Sequence, residues 1–266
     1  MINNKDKDFI IFNATDFNLT QLSLYFEGEY TEKQLKNFCD RNEIKYKKKN
    51  KGERKKRTLN KQMIRTPINH DYFKIWSRNM AYIFGLWCAD GNIGNNGGWQ
   101  FSIKLHKNDK YLLQQVLDEM QSEHKIYDRK DNSCEFIIGS KTIYNDIVNL
   151  GGEERKSLSL KFPHIPHEYM SDFIRGYFDG DGSIRKTNGM GHQVNICGTK
   201  EFLNDLKIIL NNELNLTKIT IYEHHPEIES NTYKLYIHRK SDVKKFQEYI
   251  YGSLIENTLY MKRKYI

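Results

Sequence analysis

Two stretches of the sequence decide the fold, Ile83-Phe-Gly-Leu-Trp-Cys-Ala-Asp-Gly91 and Ile174-Arg-Gly-Tyr-Phe-Asp-Gly-Asp-Gly182. Each is an apolar segment that carries two small residues four positions apart and ends in Asp-Gly. Positions i and i+4 share one face of an α-helix, and small residues on that face let two helix backbones approach closely. The two stretches therefore predict a pair of helices that pack against each other. The small residues are Gly85, Ala89, Gly176 and Gly180.

The likeness between the two stretches extends along the chain at an offset of 91 residues. After a hairpin of different length the offset grows to about 101, where Ser140–Leu150 matches Ser241–Tyr251. Each copy has the pattern helix, two strands, helix, two strands, helix. We therefore predict an α+β fold, a pseudo-twofold duplicated αββαββα domain with halves at residues 76–170 and 171–266.

The predicted strands alternate apolar and polar residues, as Gln100–His106 illustrates. This alternation is typical of a sheet with one buried face and one open face. Polar side chains on an open face can meet the base edges and phosphates of DNA; the alternative is an ordinary solvated sheet. The predicted DNA-contacting strand residues are Gln100, Ser102, Lys104, His106, Arg185, Lys186, Gln193, Asn195, Lys234, Tyr236 and His238.

Each repeated helix ends in an aspartate, Asp90 or Asp181, followed by a glycine. We expect each glycine to be left-handed, as is common just past a helix end, whereas a carboxylate is disfavoured at that end of the helix dipole. Two converging carboxylates do not both stay ionised without a cation. Mg²⁺ prefers carboxylate and water oxygens, and it would activate water and stabilise the leaving 3′ oxygen of a phosphodiester. A lone Asp-Gly usually forms only a turn, but its repetition favours catalysis.

The positive charge of the chain is concentrated in residues 41–65. This segment holds 12 Lys or Arg and two Glu, whereas the whole chain has a net charge of +8. Such a tract favours binding to phosphates without sequence preference; the alternative is a solvated linker. We predict a basic linker at residues 48–75. The predicted DNA-contacting residues of the tract are Lys47, Lys48, Lys55, Lys56 and Arg57.

Residues 1–47 predict a small helical module. The second of its last two helices begins after Thr31, which has Gln34 three residues later at capping-box spacing. Two helices joined by a short turn are typical of a helix-turn-helix DNA-binding module. A helical hairpin without a DNA role is the alternative. The side chains expected to point outward from the second helix are Lys33, Lys36, Asn37 and Arg41.

The composition excludes several classes of protein. The longest apolar run falls far short of the ~20 residues that span a membrane, and the first residues lack the apolar segment of a secretory signal. The four cysteines show neither paired nor zinc-ligand spacing, which indicates reduced thiols. We expect a soluble cytoplasmic protein with no membrane partner.

The two repeated stretches resemble the paired signature motifs of the LAGLIDADG homing endonucleases in their single-chain form. The resemblance covers roughly residues 76–266; the first copy departs from the family in having Cys88 where an earlier aspartate is frequent. It implies a saddle of two four-stranded antiparallel sheets over a DNA duplex. It also implies a metal-dependent double-strand cut at a long target site, which leaves 3′ overhangs.

Carried over by position, the resemblance makes Asp90 and Asp181 the metal-binding catalytic acids. The backbone carbonyls of Ala89 and Gly180 would assist them. The family also places basic residues near the scissile phosphates. The candidates here are Lys156 and the run Lys262-Arg263-Lys264, from which we select Lys264. The implied cofactor is Mg²⁺, with Mn²⁺ as a substitute.

The implied partner is double-stranded DNA, bound by a monomer in a bacterial or phage-like context. The chain lacks the terminal residues of protein splicing, so we expect an intron-encoded or free-standing enzyme with the amino-terminal module as an accessory DNA clamp. Two alternatives stay open on the same fold. One is a non-cleaving DNA-binding regulator, and the other is an RNA maturase that binds its host intron RNA.

Overall fold

A computed structural model describes residues 2–15, 17–26, 29–47, 66–95, 98–187, 191–224 and 231–265. The chain divides into two compact units, Met1–Arg65 and Thr66–Ile266. Among the described residues, no helix is both long enough and apolar enough to cross a lipid bilayer.

The first unit contains three short helices, α1 (Asn4–Asn13), α2 (Leu19–Tyr25) and α3 (Glu32–Arg41). The capping box at the start of α3 is confirmed: Gln34 N donates to Thr31 Oγ1 at 3.3 Å, and Thr31 N donates to Gln34 Oε1 at 2.8 Å. These bonds satisfy amides that have no partner within the helix. The helices enclose a small apolar core of Ile2, Ile10, Ala14, Phe17, Leu22, Tyr30, Leu35 and Cys39.

The second unit has the predicted duplicated order of helices and strands. The elements of its first half are α4 (Arg78–Asp90), β1 (Gly91–Gly94), β2 (Gln100–His106), α5 (Lys110–Glu119), β3 (Tyr127–Asp128), β4 (Ser133–Gly139) and α6 (Lys141–Asn149). Those of its second half are α7 (Met170–Asp181), β5 (Gly182–Thr187), β6 (Gly191–Gly198), α8 (Lys200–Leu214), β7 (Ile219–Glu223), β8 (Tyr233–Ile237) and α9 (Lys240–Tyr251).

Each half forms one four-stranded antiparallel sheet, with strand orders β1-β2-β4-β3 and β5-β6-β8-β7. The apolar residues of the central strands face the core, where Phe101, Ile103, Val194 and Ile196 have no exposed surface. The polar residues between them lie on the opposite face, because successive side chains of a strand point to opposite sides. The predicted α+β fold is confirmed, including the two open sheet faces.

Helices α4 and α7 pack side by side through their glycines. A Cβ atom on Gly85 would overlap the carbonyl oxygen of Phe173, and one on Gly176 would overlap the carbonyl oxygen of Tyr82. The two helices therefore approach each other by backbone at both positions, as the repeated small residues predicted. This close pairing brings their carboxyl-terminal ends to the same place.

The linker prediction was wrong in its last ten residues. Tyr72 and Phe73 form part of a short 3-10 helix and are buried in the main apolar core. Residues 66–75 accordingly belong to the second unit. Their apolar side chains were hidden from the sequence interpretation because a dense basic tract precedes them.

Candidate functional site

The two repeated aspartates are the last residues of α4 and α7. Asp90 Oδ2 lies 2.9 Å from the place that a Cβ atom on Gly180 would occupy. The Asp90 carboxylate therefore reaches the end of the partner helix, next to Asp181. Glycine at position 180 is required for this approach, since any side chain there would also overlap Ala89 Cβ.

The electrostatics of the two carboxyl groups reflect this crowding. Burial raises the pKa of Asp90 to about 7, and the neighbouring charge of Asp181 raises it as well. Burial also raises the pKa of Asp181 to about 6. Two partly dehydrated carboxylates at one place create a demand for positive charge.

The glycines after the aspartates differ from expectation. Gly91 and Gly182 have φ of −94° and −91° and extend directly into strands β1 and β5, so the predicted left-handed conformation was wrong. A Cβ atom at these positions would overlap the ring of Trp87 or of Phe178. Glycine is required because an aromatic ring from the last helical turn covers the start of each strand.

Two buried lysines complete the centre in a pseudo-symmetric way. Lys156 is 6% exposed and Lys264 is 8% exposed. Lys156 Nζ donates to the carbonyl oxygen of Gly91, and Lys264 Nζ donates to that of Gly182. Each ammonium group thus binds the residue directly after one aspartate. The sequence separation of each lysine from its aspartate gave no hint of this matched geometry.

Aromatic rings hold both lysines in place. Lys156 Nζ lies 5.0 Å from the centre of the Trp87 ring, and Lys264 Nζ lies 5.6 Å from that of Phe178. Cation–π attraction offsets part of the loss of hydration. Burial nevertheless lowers the pKa of both ammonium groups below the ordinary lysine value.

Each lysine acts on both carboxylates. The charges of Lys156 and Lys264 lower the pKa of Asp90 and of Asp181, against the effect of burial. The structure therefore brings together two aspartates and two lysines from four distant places in the chain. By contrast, Arg263 of the predicted basic run turns away to Asp109, with Nε at 2.9 Å from Oδ2.

The donor set at the helix ends fits a hard divalent cation. The carboxylates of Asp90 and Asp181 supply oxygen ligands, and the carbonyls of Ala89 and Gly180 lie in last helical turns, where carbonyls lack intrahelical partners. Within the described ranges there is no cluster of three or more His, Cys, Asp or Glu that could enclose a metal. Such an open oxygen pair suits Mg²⁺, which usually takes one or two carboxylates together with water and substrate phosphate.

The open face of the first sheet is strongly polar. Gln100, Lys104 and His106 are exposed and Ser102 is half-buried. Lys104 Nζ pairs with Asp131 at 2.8 Å. Beside it on the neighbouring strand, Glu135 pairs with Arg129. These charges are compensated within the free protein.

The open face of the second sheet carries aromatic and neutral polar groups together with Arg185 and Lys234. His238 bonds to Gln193 and to Thr220, each at 2.8 Å, and its ring stacks on Tyr236 with centres 5.7 Å apart. Burial lowers the pKa of His238. Arg185 is exposed at the edge of this face.

The remaining predicted contact residues lie in different environments. Asn195 is only 6% exposed and accepts a bond from Ser183 Oγ at 3.1 Å, so it differs from the freely exposed residue that we expected. Lys234 is half-buried, and Lys47 is exposed in the first unit. Outside the described residues lie Lys48, Lys55, Lys56, Arg57 and the side chain of Lys186.

The sequence interpretation missed Asp179. This residue has no exposed surface and accepts hydrogen bonds from Tyr82 Oη, Tyr251 Oη and Met261 N. The available signal was the difference between the two repeats, in which Cys88 stands at the matching position. That difference identified the position as unequal between the halves but not what it binds.

Comparison with known protein families identifies the second half of the duplicated unit. Residues 168–251 match the model of a LAGLIDADG-like domain. The chain contains a LAGLIDADG-like domain. The match begins just before α7 and ends with α9, so it covers the second half of the LAGLIDADG repeat.

Two curated proteins are similar to this chain over most of its length. A DNA polymerase of Thermococcus hydrothermalis is 26% identical over 188 residues, which cover 66% of this chain and 10% of that protein. A probable translation initiation factor IF-2 of Methanocaldococcus jannaschii is 32% identical over 189 residues, or 69% of this chain and 16% of that protein. The chain thus spans less than a fifth of the length of either relative. The similarity is to a segment within each of them.

A solved structure has a fold similar to that of this chain. The homing endonuclease I-WcaI, bound to its DNA recognition sequence, is similar with a TM-score of 0.50 and 16% sequence identity. The similarity covers 74% of this chain and 91% of the I-WcaI chain. At this level of identity it shows a common fold.

Proposed function

We propose that this protein is a metal-dependent homing endonuclease that cuts double-stranded DNA at a long target site. The observation that carries the proposal is the convergence of Asp90, Asp181, Lys156 and Lys264 at the ends of two paired helices. Two acids with two bases, repeated about a pseudo-twofold, match the chemical symmetry of two antiparallel DNA strands. The cut would be double-stranded with 3′ overhangs, made by a monomer in the cytoplasm.

The substrate follows from the two open sheet faces. Each sheet offers polar side chains at the spacing of alternate strand residues, and β-structure can read base edges in the major groove. Lys104 and Arg185 are exposed on these faces and can contact phosphates. The basic tract and the amino-terminal helices, as a helix-turn-helix-like clamp, would add affinity without selecting the cleavage position.

The proposed roles in hydrolysis are divided between acids and bases. Asp90 and Asp181 would hold Mg²⁺, helped by the carbonyls of Ala89 and Gly180, with Mn²⁺ as a substitute. When bound, the cation supplies Lewis-acid stabilisation of the charge that develops on the phosphate. Lys156 and Lys264 favour the ionised form of both carboxylates, because their charges lower the two pKa values against the effect of burial. Their ammonium groups would also stabilise phosphate charge.

The test begins with selection of bound sequences from a random double-stranded library, followed by incubation of the winners with Mg²⁺. We expect cuts in both strands at one position, with 3′ overhangs, and loss of cutting but not of binding in Asp90→Asn and Asp181→Asn. Asp131→Asn serves as the matched control, because this carboxylate is exposed and ion-paired in the turn between β3 and β4. If both Asp variants cut DNA at the wild-type rate, the assignment would be refuted.

Two other outcomes identify the alternatives. Specific DNA binding without any cutting by the wild-type protein would indicate a regulator on the same fold. Preference for structured intron RNA, with acceleration of its splicing, would indicate a maturase. An intron origin of the reading frame stays a prediction, which the flanking DNA can check.

A further inference from the structure

We infer that Asp179 is a positioning residue that fixes Lys264, and that the first half of the protein has no buried carboxylate at the matching position. The two catalytic lysines would therefore be held by different means, and the two DNA strands would be cut by unequal centres. This inference rests on the proposed nuclease function and goes beyond it by assigning a role to a residue that contacts neither metal nor DNA.

Asp179 lies at the centre of a buried polar cluster. Its Oδ2 accepts from Tyr82 Oη at 2.7 Å and from Met261 N at 2.6 Å, and its Oδ1 accepts from Tyr251 Oη at 2.6 Å. Burial raises the pKa of Asp179 to about 6, while these donors oppose the rise. A buried carboxylate with three donors is a strong local constraint, because each donor would otherwise lie unpaired in the core.

The bond to Met261 connects this cluster to the active centre. Met261 precedes Lys264 by three residues, and the short 3-10 helix Lys262–Lys264 begins directly after it. Lys264 Nζ then bonds to Gly182 O. Asp179 thus holds the start of the one turn that places Lys264 beside its strand.

The two residues after Met261 are fixed from the first half. Lys262 N donates to Tyr111 Oη at 2.6 Å, and Arg263 pairs with Asp109. These bonds hold the two residues between Met261 and Lys264 but not Met261 itself. Removing Asp179 should therefore loosen the turn at its start without releasing the whole segment.

The first half has apolar residues where this cluster would be. Cys88, Phe173 and Leu150 occupy the repeat positions of Asp179, Tyr82 and Tyr251. All three lack the acceptor and donors of the cluster.

The segment that carries Lys156 is held differently: Tyr144 Oη donates to Glu154 Oε1 at 2.8 Å before the lysine, and Asn231 and Thr199 donate to Leu158 O and Leu160 O after it. The asymmetry therefore lies in the buried carboxylate, which holds a backbone amide before Lys264 and is replaced by Cys88 in the first half. Loss of Asp179 should disturb Lys264 and leave Lys156 in place.

The first measurement reports on lysine position without requiring cleavage. We would compare acylation rates of the two lysines by mass spectrometry in the wild type and in Asp179→Cys, which installs the first half's own residue. We expect Lys264 to react at least fivefold faster in the variant and Lys156 to react within twofold of the wild-type rate. Equal rates for Lys264 in both proteins, or equal acceleration of both lysines, would overturn the inference.

The second measurement follows each DNA strand separately, with end-labelled target and Mg²⁺. Asp179→Cys should slow one strand at least tenfold and the other less than threefold, so that nicked DNA accumulates. The slowed strand should be the one affected by Lys264→Met. The double variant should cut like Lys264→Met alone, since a positioning residue acts through its lysine. Equal slowing of both strands, or additive losses in the double variant, would indicate a merely structural role.

Two further variants serve as a fallback and as a control for these measurements. Asp179→Asn keeps an oxygen for Met261 N and is used if the cysteine variant does not fold; it should show the same strand bias, only weaker. Tyr251→Phe removes one donor but leaves the Met261 bond, and it should alter neither strand by more than threefold. If the wild type cuts neither strand, the proposed function fails while the acylation result still decides the position of Lys264.

Discussion

Lys156 donates a hydrogen bond to the carbonyl oxygen of Gly91, the residue directly after Asp90. The same relationship recurs in the second half, where Lys264 bonds to the residue after Asp181. The lysine near the end of each half thus bonds to the residue that follows the aspartate of the same half. Each half therefore has its own aspartate and its own lysine. This arrangement suggests five experiments.

Replacement of either lysine by methionine should abolish most cleavage and spare binding. Loss of one preorganised charge in a dehydrated centre typically costs ~100-fold to 1,000-fold in rate, so we expect at least a 100-fold loss for Lys156→Met. The target affinity should change by less than threefold, because the ammonium groups are buried. Single-turnover cleavage and filter binding measure the two quantities. Lys110→Met is the control, since Lys110 forms an exposed ion pair with Asp128; a similar loss there would contradict the prediction.

Alanine at the helix contact should destabilise the protein. In Gly85→Ala the new methyl group meets the Phe173 carbonyl, and in Gly176→Ala it meets that of Tyr82. Overpacking of this kind costs about 1–3 kcal/mol. Urea unfolding would give the difference in free energy of unfolding. Gly139→Ala has open space around its Cβ position and should change the stability by less than about 1 kcal/mol; equal effects at all three sites would argue against backbone contact.

Ionisation of the paired acids should lower the stability of the metal-free protein. The pKa of Asp90 is about 7 in the folded state, above the ordinary ~3.9 of an unfolded Asp. The folded state therefore binds the proton more tightly, and its stability falls as pH rises from about 4 to 7. Asp90→Asn should flatten this dependence and gain on the order of 1–3 kcal/mol at pH 8. Chemical unfolding across pH checks it; a variant less stable than wild type at pH 8 would refute the sign.

Divalent metal should reverse that instability. A cation that binds the folded state alone raises its stability by mass action. We expect millimolar Mg²⁺ or Mn²⁺ to raise the melting temperature of the wild type, with no rise in the double variant Asp90→Asn, Asp181→Asn. Chelation should stop cleavage and restore the lower melting temperature. An equal rise in the double variant would place the metal elsewhere.

The sheet face should contribute to DNA affinity through phosphate contacts. Lys104→Ala should weaken binding several-fold for specific and random DNA alike and lower the slope of log affinity against log salt by about one. Fluorescence anisotropy at several salt concentrations measures this slope. Lys244→Ala, on the exposed side of α9, removes the same charge away from the open face. If Lys244→Ala gave the same change of slope, the proposed phosphate contacts of the open face would be refuted.

The predictability of this molecule differs between its scaffold and its site. The helix pair followed from Gly85 and Gly176, because a repeated small residue within an apolar helix has few explanations other than close packing. The strand faces followed from alternation, as in Phe101 and Ile103. The burial of Asn195 and the extended backbone of Gly91 did not follow, since each depends on a neighbour that the local pattern does not specify.

By itself, the sequence determined the duplication, the order of elements and the two acids at the helix ends. Those features are written in local spacing, and local spacing determines which face of a helix or strand a residue occupies. Only the tertiary structure decided that Lys156 and Lys264 cover Trp87 and Phe178, and that Asp179 holds Met261. These contacts join residues that are 69 or more positions apart or that follow irregular turns, and the path of such segments is set by packing.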